Sequence, residues 1–432
     1  MKIITKETTM VYPMQDTPSE RLWLSNLDLM QGRTHLPSAY LYKPNGSSNF
    51  FEPEVLKEAL SKVLVPFYPV AGRLGSDDNG RIEINCNKEG VLFAEAEADS
   101  SMNNEVGDFM PSHVRRQLVP EVDYSSGISS FPLLVLQVTK FECGGVCLGV
   151  GLHHTLADGI SAIHFINSWA DTARGLSIST PPFIDRTILR HRQPPLPTFH
   201  HIEYDSPPTI NISDQNPENQ PRESKPNSFE ILKLRPDQLH ILKDKAKNKY
   251  STYEVLTAHI WRCACKARGL SDDQATKLYM SIDGRSRFSP PLPPGFFGNV
   301  VFFATPIALC GELRAESLME TVERVHKAIK KMDDKYLRSA IDFLEGVGDL
   351  TKVTQGPKTS QCPNLKITSW TRMPFYDADF GWGQPTIVRA ANPCEGKAHV
   401  ISCPSSDGSL LLPICLQTDH MAAFQRLFYD FS

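Results

Sequence analysis

Residues 149–159 read GVGLHHTLADG and close an apolar run that begins at Val146. A short apolar run ended by a turn signal predicts a buried strand. From Asp158-Gly159 onward the apolar spacing becomes that of an amphipathic helix, reaching about Arg174. The stretch therefore predicts strand, tight break, helix, with His154 at the break. Its His154/Asp158 spacing is shared by His201/Asp205 and His240/Asp244, and among 13 histidines such matches arise by chance. Surroundings separate the three. His201 falls in a proline-rich segment, where a side chain is expected to be solvated and poorly held. His240 lies on a helix whose neighbours Lys243, Lys245 and Lys247 mark a wet face, so its aspartate is an ordinary i, i+4 partner.

His154, flanked by Gly149, Gly151 and Gly159, is expected to face a cleft that backbone closely lines. A neutral imidazole there can take a proton from a hydroxyl or amine and return it to a leaving group. The alternative is a buried histidine satisfied by its neighbours. Asp158 either touches His154 or turns away to anchor the loop against an arginine.

Outward from this stretch, residues 181–226 carry 10 of the 33 prolines and predict an extended linker. The 432-residue chain is then divided into an N-terminal domain at 1–180, a crossover linker at 181–226 and a C-terminal domain at 227–432. Both halves alternate short strands and amphipathic helices in irregular order. Strands are expected at RIEIN, VLFAEAE, PLLVLQVTKF, SFEILKL, KLYMSI, NVVFFATP, KAHVISC and LLLPICLQ. Helices are expected near 53–64, 236–247, 252–268, 316–333 and 419–428. Without strict strand–helix alternation, the fold class is mixed α/β, not doubly wound.

Composition excludes several classes. No apolar run of about 18 residues could span a bilayer, and the first 14 residues show neither signal peptide nor lipidation motif, so a cytoplasmic protein without a membrane partner is expected. A net charge of −4 with no basic stripe argues against nucleic acid. The 10 cysteines have no spacing that suits zinc or a disulfide scaffold; no metal site is expected. Residues 369–383, SWTRMPFYDADFGWG, contain Asp-Phe-Gly, but the chain lacks the H-R-D, V-A-I-K and phosphate-loop motifs of a kinase and the G-x-S-x-G of a serine hydrolase. Their aromatics and glycines describe a tight turn.

Taken together, His154-Thr-Leu-Ala-Asp158-Gly and Asp379-Phe-Gly-Trp-Gly383 resemble the paired signatures of the plant BAHD acyl-CoA-dependent acyltransferases. The resemblance runs through TTMVYP (8–13), LVPFYPVAGRL (64–74), STYEVLTAHIWR (251–262), DGRSR (283–287) and FGN (297–299). On HFINSWADTARGL, PPFIDRTILR and CPNLKITSWTRMP, the chain is most similar to the branch that transfers hydroxycinnamoyl groups to shikimate or quinate. The resemblance implies two chloramphenicol-acetyltransferase-like domains joined by a long crossover loop, with an active-site channel at their interface. It implies His154 as base, and Asp158, Asp379, Gly381 and Trp382 as structural support. It also implies Ser251, Arg285 and Arg287 as CoA contacts, and Arg372, Ser38 and Tyr40 at the acceptor. Read from the residues alone, the arginines serve equally as salt-bridged or solvated groups, and an internal carboxylate is the alternative partner of Arg372.

Leu36 replaces a threonine common in shikimate users, and Arg389 stands where relatives have a small residue. Both departures point to a different or more acidic hydroxy acid than shikimate. No bound cofactor is implied; a CoA thioester is co-substrate, the partners are small molecules, and the chain is expected to be a monomer. Transfer to an amine and a binding protein without turnover are the competing readings.

Overall fold

The Val146–His153 strand is buried at all eight of its residues, because it lies inside a sheet and not at its edge. It pairs antiparallel with Leu134–Phe141 on one side and His35–Tyr42 on the other. The computed structural model describes residues 1–102, 117–210, 225–353, 356–390, 394–403 and 407–431. Their contacts divide the chain into two units: Met1–Pro195 with Pro290–Val300 and Met373–Asn392, and Leu196–Ser289 with Val301–Arg372 and Pro393–Ser432.

The six-stranded sheet of the first unit runs in the order Ile3–Val11, Val91–Ala98, Leu134–Phe141, Val146–His153, His35–Tyr42, Ile387–Ala390. The Pro53–Val63 and Gly159–Ala173 helices pack together, joined by Trp169, which is fully buried and donates its indole N–H to the Leu56 carbonyl at 3.0 Å. A small sheet of Arg21–Trp23, Ile82–Asn85 and Arg73–Ser76 completes the unit.

The main sheet of the second unit runs Val301–Ala304, Ala275–Asp283, Leu365–Ser369, Lys397–Ser402, Leu410–Gln417, Asn227–Leu234, and Ile307–Leu309 adds to the Ala275–Asp283 strand. The Thr252–Arg268 helix lies on it through Trp261, fully buried, whose indole N–H donates to the Thr276 hydroxyl at 3.2 Å. The Leu318–Lys330 and Thr418–Phe428 helices carry one apolar stripe each, ending in buried Val322 and Val325 and in buried Phe424 and Phe428.

The units depart from the sequence division in two respects: the segment expected as a separate linker at 181–226 is divided between them after Pro195, and residues 290–300 and 373–392, expected in the C-terminal domain, belong to the first unit. The Asp379–Gly383 turn goes with them. The reason is strand pairing, since Ile387–Ala390 adds antiparallel to His35–Tyr42 and the Tyr42 hydroxyl donates to the Ala378 carbonyl at 2.7 Å.

The described part of the proline-rich segment is also more ordered than expected. His201 is 1% exposed, not solvated. Its imidazole lies between Glu203 at 3.0 Å and the Ser339 hydroxyl at 2.9 Å, with Tyr336 and Phe343 against its ring. Proline restricts the backbone to extended forms; it does not prevent that backbone from being buried. His240 is as expected, on the surface and paired with Asp244 at 2.9 Å.

Candidate active site

His154 is the first residue beyond the Val146–His153 strand, and its backbone is held from both sides. Its N–H donates to the Thr34 carbonyl at 3.1 Å, and its carbonyl accepts from Asn299 Nδ2 at 2.9 Å. The side chain is half-buried. Glycine at 149 serves packing rather than substrate approach, contrary to the sequence reading: a Cβ there would lie 1.7 Å from the Leu118 carbonyl oxygen.

Asp158 turns away from the strand and caps the Gly159–Ala173 helix. One carboxylate oxygen accepts from Ser161 N–H at 3.0 Å, the other from Val300 N–H at 3.0 Å, and the residue is 1% exposed. It anchors backbone of the 296–300 segment, a helix cap and a loop clamp in one group.

Beneath the histidine lies a network that the sequence reading missed. Asp28, fully buried, accepts from Ser25 N–H at 2.9 Å, Ser25 Oγ at 2.7 Å, Asn299 N–H at 2.9 Å and Asn299 Nδ2 at 3.0 Å, and pairs with Arg186 at 3.1 Å. Arg186, also fully buried, donates to the Leu156 carbonyl at 2.7 Å. Asn299 and Arg186 therefore hold the carbonyls of His154 and Leu156, and Asp28 holds Asn299 and Arg186. The clue in sequence was an arginine and an asparagine inside PPFIDRTILR and FGN; the acid that joins them, Asp28, lies in neither motif.

Leu36, Ser38 and Tyr40 alternate onto one face of the His35–Tyr42 strand, opposite Leu152, Val150 and Leu148 of the strand that delivers His154. Leu36 is exposed, Ser38 half-buried and Tyr40 buried, and burial pushes the Tyr40 phenol well above its ordinary range. Arg389 is not with them. It pairs in register with Ala39 and so takes the other face, where it is buried and donates to the Val388 carbonyl at 3.0 Å. One residue of register separates it from the expected acceptor set. On that same face, burial lowers His35 to about 4 and His153 to about 3.

The Asp379–Gly383 turn is held from within. Asp379 accepts from Gly381 N–H at 2.8 Å and Gly383 N–H at 2.9 Å, and both glycines have φ above 100°. Trp382 packs on Phe50 and Phe51, with its carbonyl held by Asn45 at 3.1 Å.

In the second unit, Ser251 caps the Thr252–Arg268 helix through a reciprocal pair with Glu254. Arg285 pairs with Asp283 at 3.0 Å. Arg287 donates to the carbonyls of Ile329 and Met332 at the end of the Leu318–Lys330 helix. Arg372 is exposed and has no ion pair among the described residues. Also among them, no group of three His, Cys, Asp or Glu is placed to hold a metal.

A family model described as "Transferase family" matches residues 1–431. The chain is 53% identical to the shikimate O-hydroxycinnamoyltransferase of Nicotiana tabacum, over all of both chains. It is 46% identical, again over all of both, to a hydroxycinnamoyl-CoA:5-hydroxyanthranilate N-hydroxycinnamoyltransferase of Avena sativa. Among solved structures it is similar to vinorine synthase, with a TM-score of 0.77 and 23% identity, covering 99% of this chain and 100% of that one. That last likeness is one of fold.

Proposed function

The chain belongs to the Transferase family of BAHD acyltransferases, and from that premise we propose that it moves a hydroxycinnamoyl group, p-coumaroyl or caffeoyl, from its CoA thioester to the hydroxyl of a small carboxylated acceptor. His154 is the general base. The observation that carries this role is the double anchoring of its backbone, to Thr34 on one side and Asn299 on the other. A base fixed in this way keeps its geometry through the reaction.

The imidazole removes the acceptor's hydroxyl proton as the oxygen attacks the thioester carbonyl. The tetrahedral oxyanion collapses, the C–S bond breaks, and the imidazolium returns its proton to the CoA thiolate. Asp158, Asp379, Gly381 and Trp382 act as structural support. Leu36, Ser38 and Tyr40 serve the acceptor, and Arg372 serves as an acceptor contact whose planar guanidinium suits a carboxylate. Ser251 and Arg285 contact CoA. The enzyme works as a cytoplasmic monomer, and its 10 free thiols suit a reducing compartment.

Transfer to an amine is the second reading, favoured by the N-transferase relative. The test incubates the purified chain with p-coumaroyl-CoA and pooled shikimate, quinate, malate, tartrate, glucarate and tyramine, with products read by mass. An ester establishes O-transfer and names the acceptor, and an amide shifts the assignment to N-transfer. CoA ester that binds without turnover overturns the transferase reading in favour of a binding protein.

A further inference from the structure

His35 opens the His35–Tyr42 strand directly opposite His153, the residue that precedes His154. A loop at 123–133 of the same unit is fastened to both. The Leu133 carbonyl accepts from His153 N–H at 2.8 Å, and the Pro132 carbonyl accepts from His35 Nε2 at 2.8 Å. At its other end the loop turns on itself, with the Asp123 carboxylate accepting from Ser125 N–H at 2.8 Å. That turn presents Tyr124. Its ring lies edge-on to Phe131 at 5.0 Å, Phe131 stacks on His153 at 5.5 Å, and His153 meets His35 edge-on at 5.2 Å.

The Tyr124 hydroxyl makes two bonds to one residue. A carbonyl can only accept, so the bond to Pro132 puts the His35 proton on Nε2 and leaves Nδ1 as an acceptor. Burial, which lowers His35 to about 4, keeps the ring in this neutral form. Nδ1, 2.8 Å from the Tyr124 oxygen, therefore accepts from the hydroxyl, and the same oxygen accepts from His35 N–H at 3.0 Å. That N–H and the Thr34 carbonyl belong to one peptide group. Its carbonyl is the acceptor of His154 N–H at 3.1 Å, so a single planar unit connects the tyrosine hydroxyl to the backbone of His154. Hydrogen bonds in such a row polarise one another.

We propose that Tyr124, acting with His35, is a positioning residue for His154: its hydroxyl fixes the Thr34–His35 peptide, and that peptide fixes the base. The inference rests on the reading of His154 as base, and it extends the support of that residue to a loop outside both the HTLADG and the DFGWG stretches. A base whose backbone shifts loses alignment with the acceptor hydroxyl, which lowers the rate of the chemical step and leaves substrate binding nearly intact.

Steady-state transfer from p-coumaroyl-CoA to shikimate is measured for the full chain and for Tyr124→Phe, His35→Leu, His35→Asn and His154→Ala. Tyr124→Phe keeps the ring and removes only the hydroxyl, so its melting temperature stays close to native. Its kcat is expected to fall by about tenfold, the order for losing one or two hydrogen bonds, with KM for both substrates within about twofold of native. His35→Leu is expected to match it. His35→Asn returns an acceptor near the Nδ1 position and is expected to recover most of kcat. A native kcat in Tyr124→Phe overturns the proposal. So does a rise in KM in place of the fall in kcat, which marks a substrate contact, and so does His35→Asn no better than His35→Leu, which marks lost packing. If His154→Ala transfers at the native rate, or the full chain does not acylate shikimate, the ring resonance of His154 in the 13C-histidine-labelled chain, assigned by its loss in His154→Ala, decides the positioning alone. A resonance moved by Tyr124→Phe sustains it; one that stays in place overturns it.

Discussion

Asp28→Asn removes one charge from the network under His154 and keeps its shape. In the native chain, one carboxylate oxygen meets Asn299 N–H, Asn299 Nδ2 and Arg186, and the other meets Ser25 N–H and Oγ. An amide oxygen can replace the first set, but its NH2 then faces the Ser25 N–H, donor against donor. Arg186, 0% exposed, keeps the Leu156 carbonyl but loses its counter-charge. Leaving a buried charge unpaired costs roughly 3–5 kcal/mol, and the lower figure applies because the amide still accepts. About 3 kcal/mol corresponds to a fall in melting temperature of roughly 6–12 °C for a unit of this size. The assay is thermal unfolding of Asp28→Asn, Arg186→Met and the Asp28→Leu/Arg186→Met double variant. Each single change is expected to lower the midpoint, and the double variant to fall by less than the two single losses together, because no charge is then left buried although the Ser25 and Asn299 donors lose their acceptor. Single variants within about 2 °C of the native chain, or losses that simply add, refute the ion-pair account.

Asp379→Ala deletes the acceptor of two backbone N–H groups at 2.8 and 2.9 Å, and calorimetry should show a loss of about 2–3 kcal/mol. Gly381→Ala forces a side chain to φ +102° with Arg174 Cγ 3.5 Å from the new Cβ; strain and not clash lowers stability by about 1–2 kcal/mol, seen as a lower melting temperature. His153, held near 3 by burial, stays neutral in the folded chain while an unfolded histidine protonates below about 6.5. Its contribution is therefore complete above pH 6.5 and falls by about 1.4 kcal/mol per pH unit as pH drops from 6.5 toward 3. Melting curves from pH 7 to 4.5 should show that slope reduced in His153→Gln.

Much of the fold was legible because its signals are local. The apolar run ending at His153, the Pro53–Val63 stripe and the capped Thr252–Arg268 helix each announce themselves within a dozen residues. The Ile3–Val11 strand did not, because five of its nine residues are exposed in the middle of an edge strand and leave no apolar run to mark it. Membership of the Asp379–Gly383 turn in the first unit was hidden as well, since strand pairing over more than 340 positions, Val388 to Tyr40, leaves no local trace. At the site, His154 stood out through its context, while Asp28, Arg186 and Asn299 did not, because a buried ion pair is defined by its distant partner. Arg389 shows the opposite limit: standing where relatives have a small residue suggested an acceptor role, whereas its register with Ala39 puts it on the face away from Ser38 and Tyr40.

The role proposed for His154 is that of base for transfer from a CoA thioester. It is tested most directly by single-turnover kinetics of His154→Ala beside the native chain, at saturating p-coumaroyl-CoA and the best acceptor from the pool. The transfer rate is expected to fall by roughly 10²–10⁴-fold, with CoA-ester affinity and melting temperature close to native. Transfer within a few-fold of the native rate, in a folded variant that binds CoA ester normally, would contradict it.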